Sequence, residues 1–273
     1  MLKILKIEMN RAIHSIGMLI SLLIGMGCIL YQVIPIIQKM EESKKLWESM
    51  GMYRTFTRGG FYNFWFPSYI DGSTLYYFYF IGIIVALPFG ISYYRDKKSG
   101  LIKNICNRVN KKKYLAAKYI ATFISGGIAA ALPIIVDFLI VRLIIPVDCF
   151  DINGTVLNAI TEWGVFIIDN PYLAAAIIVC LWFVFGGALA TVSLMVSSVS
   201  NNFFTIQLAP FFVMLLLFYM PTFLPVYYNR FFPYYFLTLF GRGNPIIALV
   251  ESLFIILITY GVFVTIESRR DVL

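Results

Sequence analysis

The chain has 273 residues, of which 60% are hydrophobic and 13% charged, about half the charged share of a soluble domain. That composition excludes a soluble globular protein and, at this length, leaves no room for a separate soluble domain beside a set of membrane spans. A single histidine, four isolated cysteines and the absence of a G-x-x-x-x-G-K-[ST] motif further exclude His-based protease chemistry, a disulfide or metal framework, and P-loop binding of ATP by this chain.

Met1–Ser15 reads as an amphipathic helix, with Leu2, Leu5, Met9 and Ile13 on one face and Lys3, Lys6, Asn10 and His14 on another. Such a helix lies in the membrane plane with its basic side at the headgroups. No small-residue cleavage site follows, so an uncleaved interfacial helix is expected rather than a signal peptide. Six apolar stretches then reach or approach the roughly 20 residues that cross a hydrocarbon core. They are placed at 16–37, 74–93, 114–145, 172–199, 203–224 and 245–266. The expected fold is therefore an all-α polytopic membrane protein with one transmembrane domain over 1–273.

Between the first two spans, Gln38–Ser73 forms a loop rich in aromatics (Trp47, Phe61, Tyr62, Phe64, Trp65, Phe66), which beside a membrane usually make an interfacial belt. Pro88 is expected to kink the second span. The segment 94–113 follows, and Tyr94–Lys118 carries nine of the chain's 22 Lys and Arg residues. Ser99-Gly100 permits a turn. Leu101, Ile102, Ile105, Cys106 and Val109 then mark one face of a short helix, with Lys103, Asn104, Asn107 and Arg108 on the other. Asn110 can cap the next helix through its side-chain oxygen.

This loop resembles the first cytoplasmic loop of the permease subunits of type-2 ATP-binding-cassette (ABC) exporters. Asp96, Ser99-Gly100, Leu101–Val109, Lys111–Lys113 and Lys118 match that family's acidic residue, small-residue turn, coupling helix, basic turn and opening lysine. Asp96 stands where the family usually has Glu, and the basic turn lacks its usual Pro. The resemblance implies that Asp96, Gly100, Leu101, Lys103, Asn104, Ile105 and Arg108 couple to a cytoplasmic ABC ATPase dimer, with the apolar face of the short helix seated in a groove of that partner. It also implies a second permease copy or a related permease. ATP and Mg would sit on the ATPase, and this chain would be a non-catalytic subunit without a cofactor.

Later in the chain, Pro146–Pro171 is an acidic loop whose Asn153-Gly154-Thr155 sequon carries no meaning in a bacterial protein, the favoured source. Gly186-x-x-x-Ala190 offers a close-packing face in the fourth span. Ser200-Asn201-Asn202 makes a tight hairpin to the fifth span, and the aromatic, Pro-punctuated Pro225–Asn244 reads as a partly re-entrant outer segment. No internal repeat is evident.

Placing both termini in the cytoplasm puts 14 basic and 4 acidic residues inside and 8 of each outside, as the positive-inside rule requires. The basic loop is thereby an ordinary cytoplasmic membrane loop, and no nucleic-acid partner is expected. Asp137 and Glu251 are left inside spans, where charge is costly and usually functional. An ion pair with Arg142 or Arg242, a gate or substrate contact, and a proton relay remain open for them. The reading is an exporter permease in the cell membrane, moving an amphipathic or apolar peptide, antibiotic or lipid. The rival is an ion-coupled transporter or channel built on Asp137 and Glu251.

Overall fold

The computed structural model of the chain describes residues 2–49, 65–66, 72–145, 166, 169–238 and 244–270. Among the described residues all regular structure is helical, and five helices are long and apolar enough to cross a membrane. The chain is thus an all-α, multi-pass membrane protein. Helices α1 (Leu2–Ile13), α2 (Ile16–Ser49) and α3 (Gly72–Ala86) are followed by α4 (Ser92–Lys98), α5 (Leu101–Cys106) and α6 (Lys111–Ile144). Then come α7 (Pro171–Val199), α8 (Phe203–Tyr219), the single turn α9 (Pro233–Phe236) and α10 (Pro245–Arg269).

Several boundaries depart from expectation, among them an early end of α8 at Tyr219 and a later end of α10 at Arg269. Helix α2 continues through Pro35 to Ser49 instead of ending near Ile37. The second span is broken rather than kinked: α3 stops at Ala86, and the chain turns through Leu87–Ile91 before α4. Proline lacks an N–H to continue the ladder, and the Pro88 carbonyl instead accepts a hydrogen bond from Ser15 Oγ at 2.9 Å, at the α1–α2 junction. The short helix of the loop ends at Cys106 rather than Val109.

The core of the bundle is the α6–α7 pair, which contains a repeat that the opening reading missed. Phe123-x-x-Gly126-Gly127-x-x-Ala130 recurs as Phe183-x-x-Gly186-Gly187-x-x-Ala190, and the two copies face each other about a local two-fold axis. A Cβ on Gly126 would strike Ala190, and one on Gly186 would strike Ala130. A Cβ on Gly127 would lie 2.7 Å from the Phe183 carbonyl oxygen, and one on Gly187 at 2.7 Å from that of Phe123. The two phenylalanine rings meet edge to face at 6.0 Å. Lipid is as apolar as leucine, so helices in a bilayer gain from close backbone approach rather than from hydrophobic attraction. The expected packing role of Gly186 and Ala190 is met in this way.

The main apolar cluster continues to α3 and to the segment before it. Trp65 and Phe66 are fully buried there, against Phe138 and against Tyr77 and Trp182, so these two aromatics are core and not an interfacial belt. The side chain of Trp47, the residues Phe61, Tyr62 and Phe64, the loop with Cys149 and its sequon, and Arg242 were also read from the sequence. They lie outside what is described. After α8 the chain forms two 3-10 turns in which Val226 and Tyr227 are exposed. It then buries Phe236 and Leu237. The Leu237 carbonyl accepts from Trp182 Nε1 at 3.0 Å, a point about 16 Å along α7 from its first residue.

Candidate functional site

The start of α1, the loop around α5 and the end of α10 converge at one end of the bundle. Gly100 adopts φ 72°, a left-handed conformation that is easy only for glycine, and it sets α5 at an angle to α4. Asn110 caps α6 by accepting from the Lys112 N–H at 2.9 Å, as expected. Along α5, Lys103, Asn104, Asn107 and Arg108 are all exposed. Leu101 is half-buried, as are Ile105 and Cys106, and Ile102 is buried. The apolar face is therefore covered at least in part by this chain itself. Ile102 packs with Tyr93, Tyr114, Leu115, Tyr119 and Phe263, and Ile105 and Cys106 lie against the same cluster.

Asp96 does not share the exposed surface with Lys103 and Arg108. It is 2% exposed and forms the centre of a charge network that joins α1, α4 and α6. Its Oδ1 accepts from an Arg11 terminal nitrogen at 2.7 Å. Its Oδ2 accepts from Lys118 Nζ at 2.5 Å and from Tyr114 Oη at 2.7 Å. Lys118 Nζ also donates to Glu8 Oε2 at 2.9 Å, and Arg11 donates to Glu8 Oε1 at 3.0 Å. Two acids and two bases thus close on one another, three of them nearly or wholly buried. Lys118 Nζ further stands 4.5 Å from the centre of the Phe89 ring, a favourable place for a desolvated cation. Burial alone would push the Asp96 carboxyl up. The Arg11, Lys118 and Tyr114 contacts outweigh it and hold Asp96 below the usual carboxylate range. In return, the bond to Asp96 raises Arg11 above the ordinary arginine value despite burial.

Sequence reasoning found Asp96 and Lys118 but gave no role to Glu8 and Arg11 on the amphipathic first helix. One signal was present. Ile4, Glu8 and Ala12 recur every four residues, and in the structure this stripe faces the bundle while Leu2 and Ile13 are exposed. A second buried carboxylate was also missed. Glu267 Oε2 accepts from Tyr93 Oη at 2.7 Å, and its Oε1 accepts from Arg270 at 2.8 Å. Lys111 Nζ donates to the Arg270 carbonyl at 2.6 Å. The end of α10 is therefore fastened to both sides of the loop.

The two intramembrane acids lie apart from this site. Asp137 is fully buried, and its Oδ2 accepts from the backbone N–H of Phe66 at 2.8 Å, while Oδ1 has no partner among the described residues. Arg142 instead donates to Tyr172 Oη at 3.1 Å. Glu251 is half-buried on α10. Among the described residues no group of three or more His, Cys, Asp or Glu side chains is placed to hold a metal ion. No family model, curated protein or solved structure matches the chain.

Proposed function

We propose that this chain is the membrane-spanning, non-catalytic subunit of an ATP-driven ABC exporter. Its partners would be a cytoplasmic ABC ATPase dimer, which carries ATP and Mg, and a second copy or a related permease. The observation that carries this reading is the loop's construction. Helix α5 offers only polar side chains outward, while its apolar side and Asp96 are tied into α1, α6 and α10. A push delivered to Lys103, Asn104, Asn107 and Arg108 passes into the spans rather than bending a free loop. The convergence of α1, the loop and the end of α10 on one face agrees with both termini being cytoplasmic in the cell membrane.

In this reading there are six crossings: the five long helices, and α3 with the turn that follows it. The segment from Pro225, dipping to Leu237 beside Trp182, is the partly re-entrant outer piece. The substrate is amphipathic or apolar, since charged groups within the spans are few. A metal-cation site at Asp137 would require converging acceptor oxygens, whereas the group facing its Oδ2 is a donor, the Phe66 N–H.

The test is co-purification with an ABC ATPase of the same cell, followed by substrate-stimulated hydrolysis in lipid. Ile105→Asp cannot separate docking from folding, because Ile105 packs against this chain's own cluster. Lys103→Glu combined with Arg108→Glu leaves that cluster untouched. The double reversal is expected to strip the ATPase and abolish stimulation with unchanged thermal stability. Full complex and full coupling in that variant would overturn the proposal.

A further inference from the structure

A second feature at the same end of the bundle has no part in docking a partner at α5. A cavity of about 570 Å³ opens between the α1–α2 junction, the Leu87–Ile91 turn, α4 and the start of α8. Its polar lining is unusual for this depth. Gln207 is 7% exposed, and among the described residues neither its amide oxygen nor its amide nitrogen has a partner. Ser92, also 7% exposed, contributes a hydroxyl that has no partner among the described residues. Buried amides and hydroxyls without partners are costly and rare, and here both line one space. At its edge Arg95 is exposed, whereas the other lining cation, Arg11, is already balanced by Glu8 and Asp96. The opposite rim is apolar and open, with Ile16 at 78%, Ile20 at 41% and Phe203 at 40% exposure.

We infer that this cavity binds the phosphate-bearing headgroup of an anionic lipid from the adjacent leaflet. Arg95 supplies the charge, Gln207 and Ser92 supply uncharged donors to the phosphate oxygens, and the acyl chains leave over Ile16, Ile20 and Phe203. The headgroup's phosphate could equally be offered as a soluble anion, but the apolar rim matches a ligand with a tail. An amide and a hydroxyl donate to an anion without adding charge, and Arg95 makes the difference between anionic and zwitterionic lipids. The inference requires only that the chain span a membrane. It stands or falls independently of the exporter reading.

The experiment uses the full chain in micelles containing equimolar phosphatidylglycerol and phosphatidylcholine, with retained lipid counted by native mass spectrometry. The wild type is expected to retain phosphatidylglycerol over phosphatidylcholine by about ten-fold, the scale of one charge-assisted hydrogen bond. Arg95→Ala, at an exposed position, should remove that preference without changing the melting temperature. Gln207→Leu keeps the volume and removes the orphaned amide. It should melt at or above the wild-type temperature and yet hold less phosphatidylglycerol. If Gln207→Leu failed to fold, Arg95→Ala would decide alone. Equal retention of both lipids by the wild type, or unchanged retention in Arg95→Ala, would overturn the inference. Displacement of the lipid by millimolar inorganic phosphate would replace it with a soluble-anion site. A lipid-free dimer that covers the cavity would replace it with a contact between copies.

Discussion

Removing the cation at the centre of the α1–α4–α6 network tests whether that network holds α1 in place. Lys118→Met preserves the stem and most of the volume but takes away the one ammonium shared by Glu8 and Asp96. Their oxygens bond it at 2.9 and 2.5 Å, so they are no more than about 5.4 Å apart, and at an effective dielectric of about 20 they repel by roughly 3 kcal/mol. Breaking one partner out of a buried ionic network generally costs about 3–5 kcal/mol. A loss on the order of 10 °C in melting temperature is therefore expected at pH 7, read by tryptophan fluorescence in detergent. The pH dependence gives a sharper check. In the wild type the Asp96 pKa is depressed. Its contribution is complete above the ordinary carboxylate value and is lost only as pH falls through the lower folded value, leaving stability flat from pH 7 to 5 on this account. In Lys118→Met the two acids keep only the more exposed Arg11 as a common cation, and the folded Asp96 pKa rises from its depressed value. Proton uptake then favours the folded state as pH falls, and the deficit should shrink toward pH 5. A change of less than about 2 °C at pH 7, or a deficit independent of pH, would refute the reasoning.

Two further outcomes concern the spans. Gly127→Val and Gly187→Val should each cost about 1–3 kcal/mol through overpacking, and by similar amounts, because each glycine faces the partner helix's phenylalanine carbonyl at the same 2.7 Å; thermal melts of the two variants compare them directly, and a harmless substitution at either position would deny the two-fold packing. Asp137→Asn keeps an acceptor for the Phe66 N–H and should melt near the wild type, whereas Asp137→Leu orphans that donor and should lose about 1–3 kcal/mol. Were Asp137 instead an ion site, Asn would preserve stability while abolishing ion-dependent transport in liposomes.

Much of this architecture was legible because its signals are local. The long apolar runs, the Asn110 cap and the Gly100 turn depend on neighbouring residues and could be placed from sequence. The hairpin at Asn202, whose side chain accepts from the Phe204 N–H at 3.0 Å, is of the same kind. What stayed hidden depends on long-range pairing. Glu8 and Asp96 both bond Lys118, from 110 and 22 residues away, and nothing in a single sequence orients a helix about its own axis when it has charges on two faces. The sidedness of α5 was read correctly as a pattern, but periodicity cannot say whether an apolar face meets another protein or the same chain. The matching Phe-x-x-Gly-Gly-x-x-Ala segments were in plain view. They escaped because eight residues among many apolar ones carry little contrast, and only their mutual contact gives them meaning.

If α1 lies at the membrane surface, as its amphipathic sequence leads one to expect, charged groups are the natural means of fastening it. A soluble protein would dock such a helix by burying leucines, because water penalises their exposure. At a membrane surface the apolar alternative is lipid, which accepts Leu2 and Ile13 as readily as a protein core does, and both are indeed exposed. Hydrophobic burial therefore cannot by itself specify one position for α1 against the bundle. A matched set of acids and bases can, because separating them leaves desolvated charges uncompensated while any displaced register leaves some of them unpaired. The same logic accounts for Tyr93, Glu267 and Arg270 at the end of α10. The loop is thus held by polar locks on both sides. Each lock ends on an element continuous with, or directly adjoining, a membrane-crossing helix, so in the proposed exporter a displacement of α5 would reach the spans rather than be dissipated by sliding.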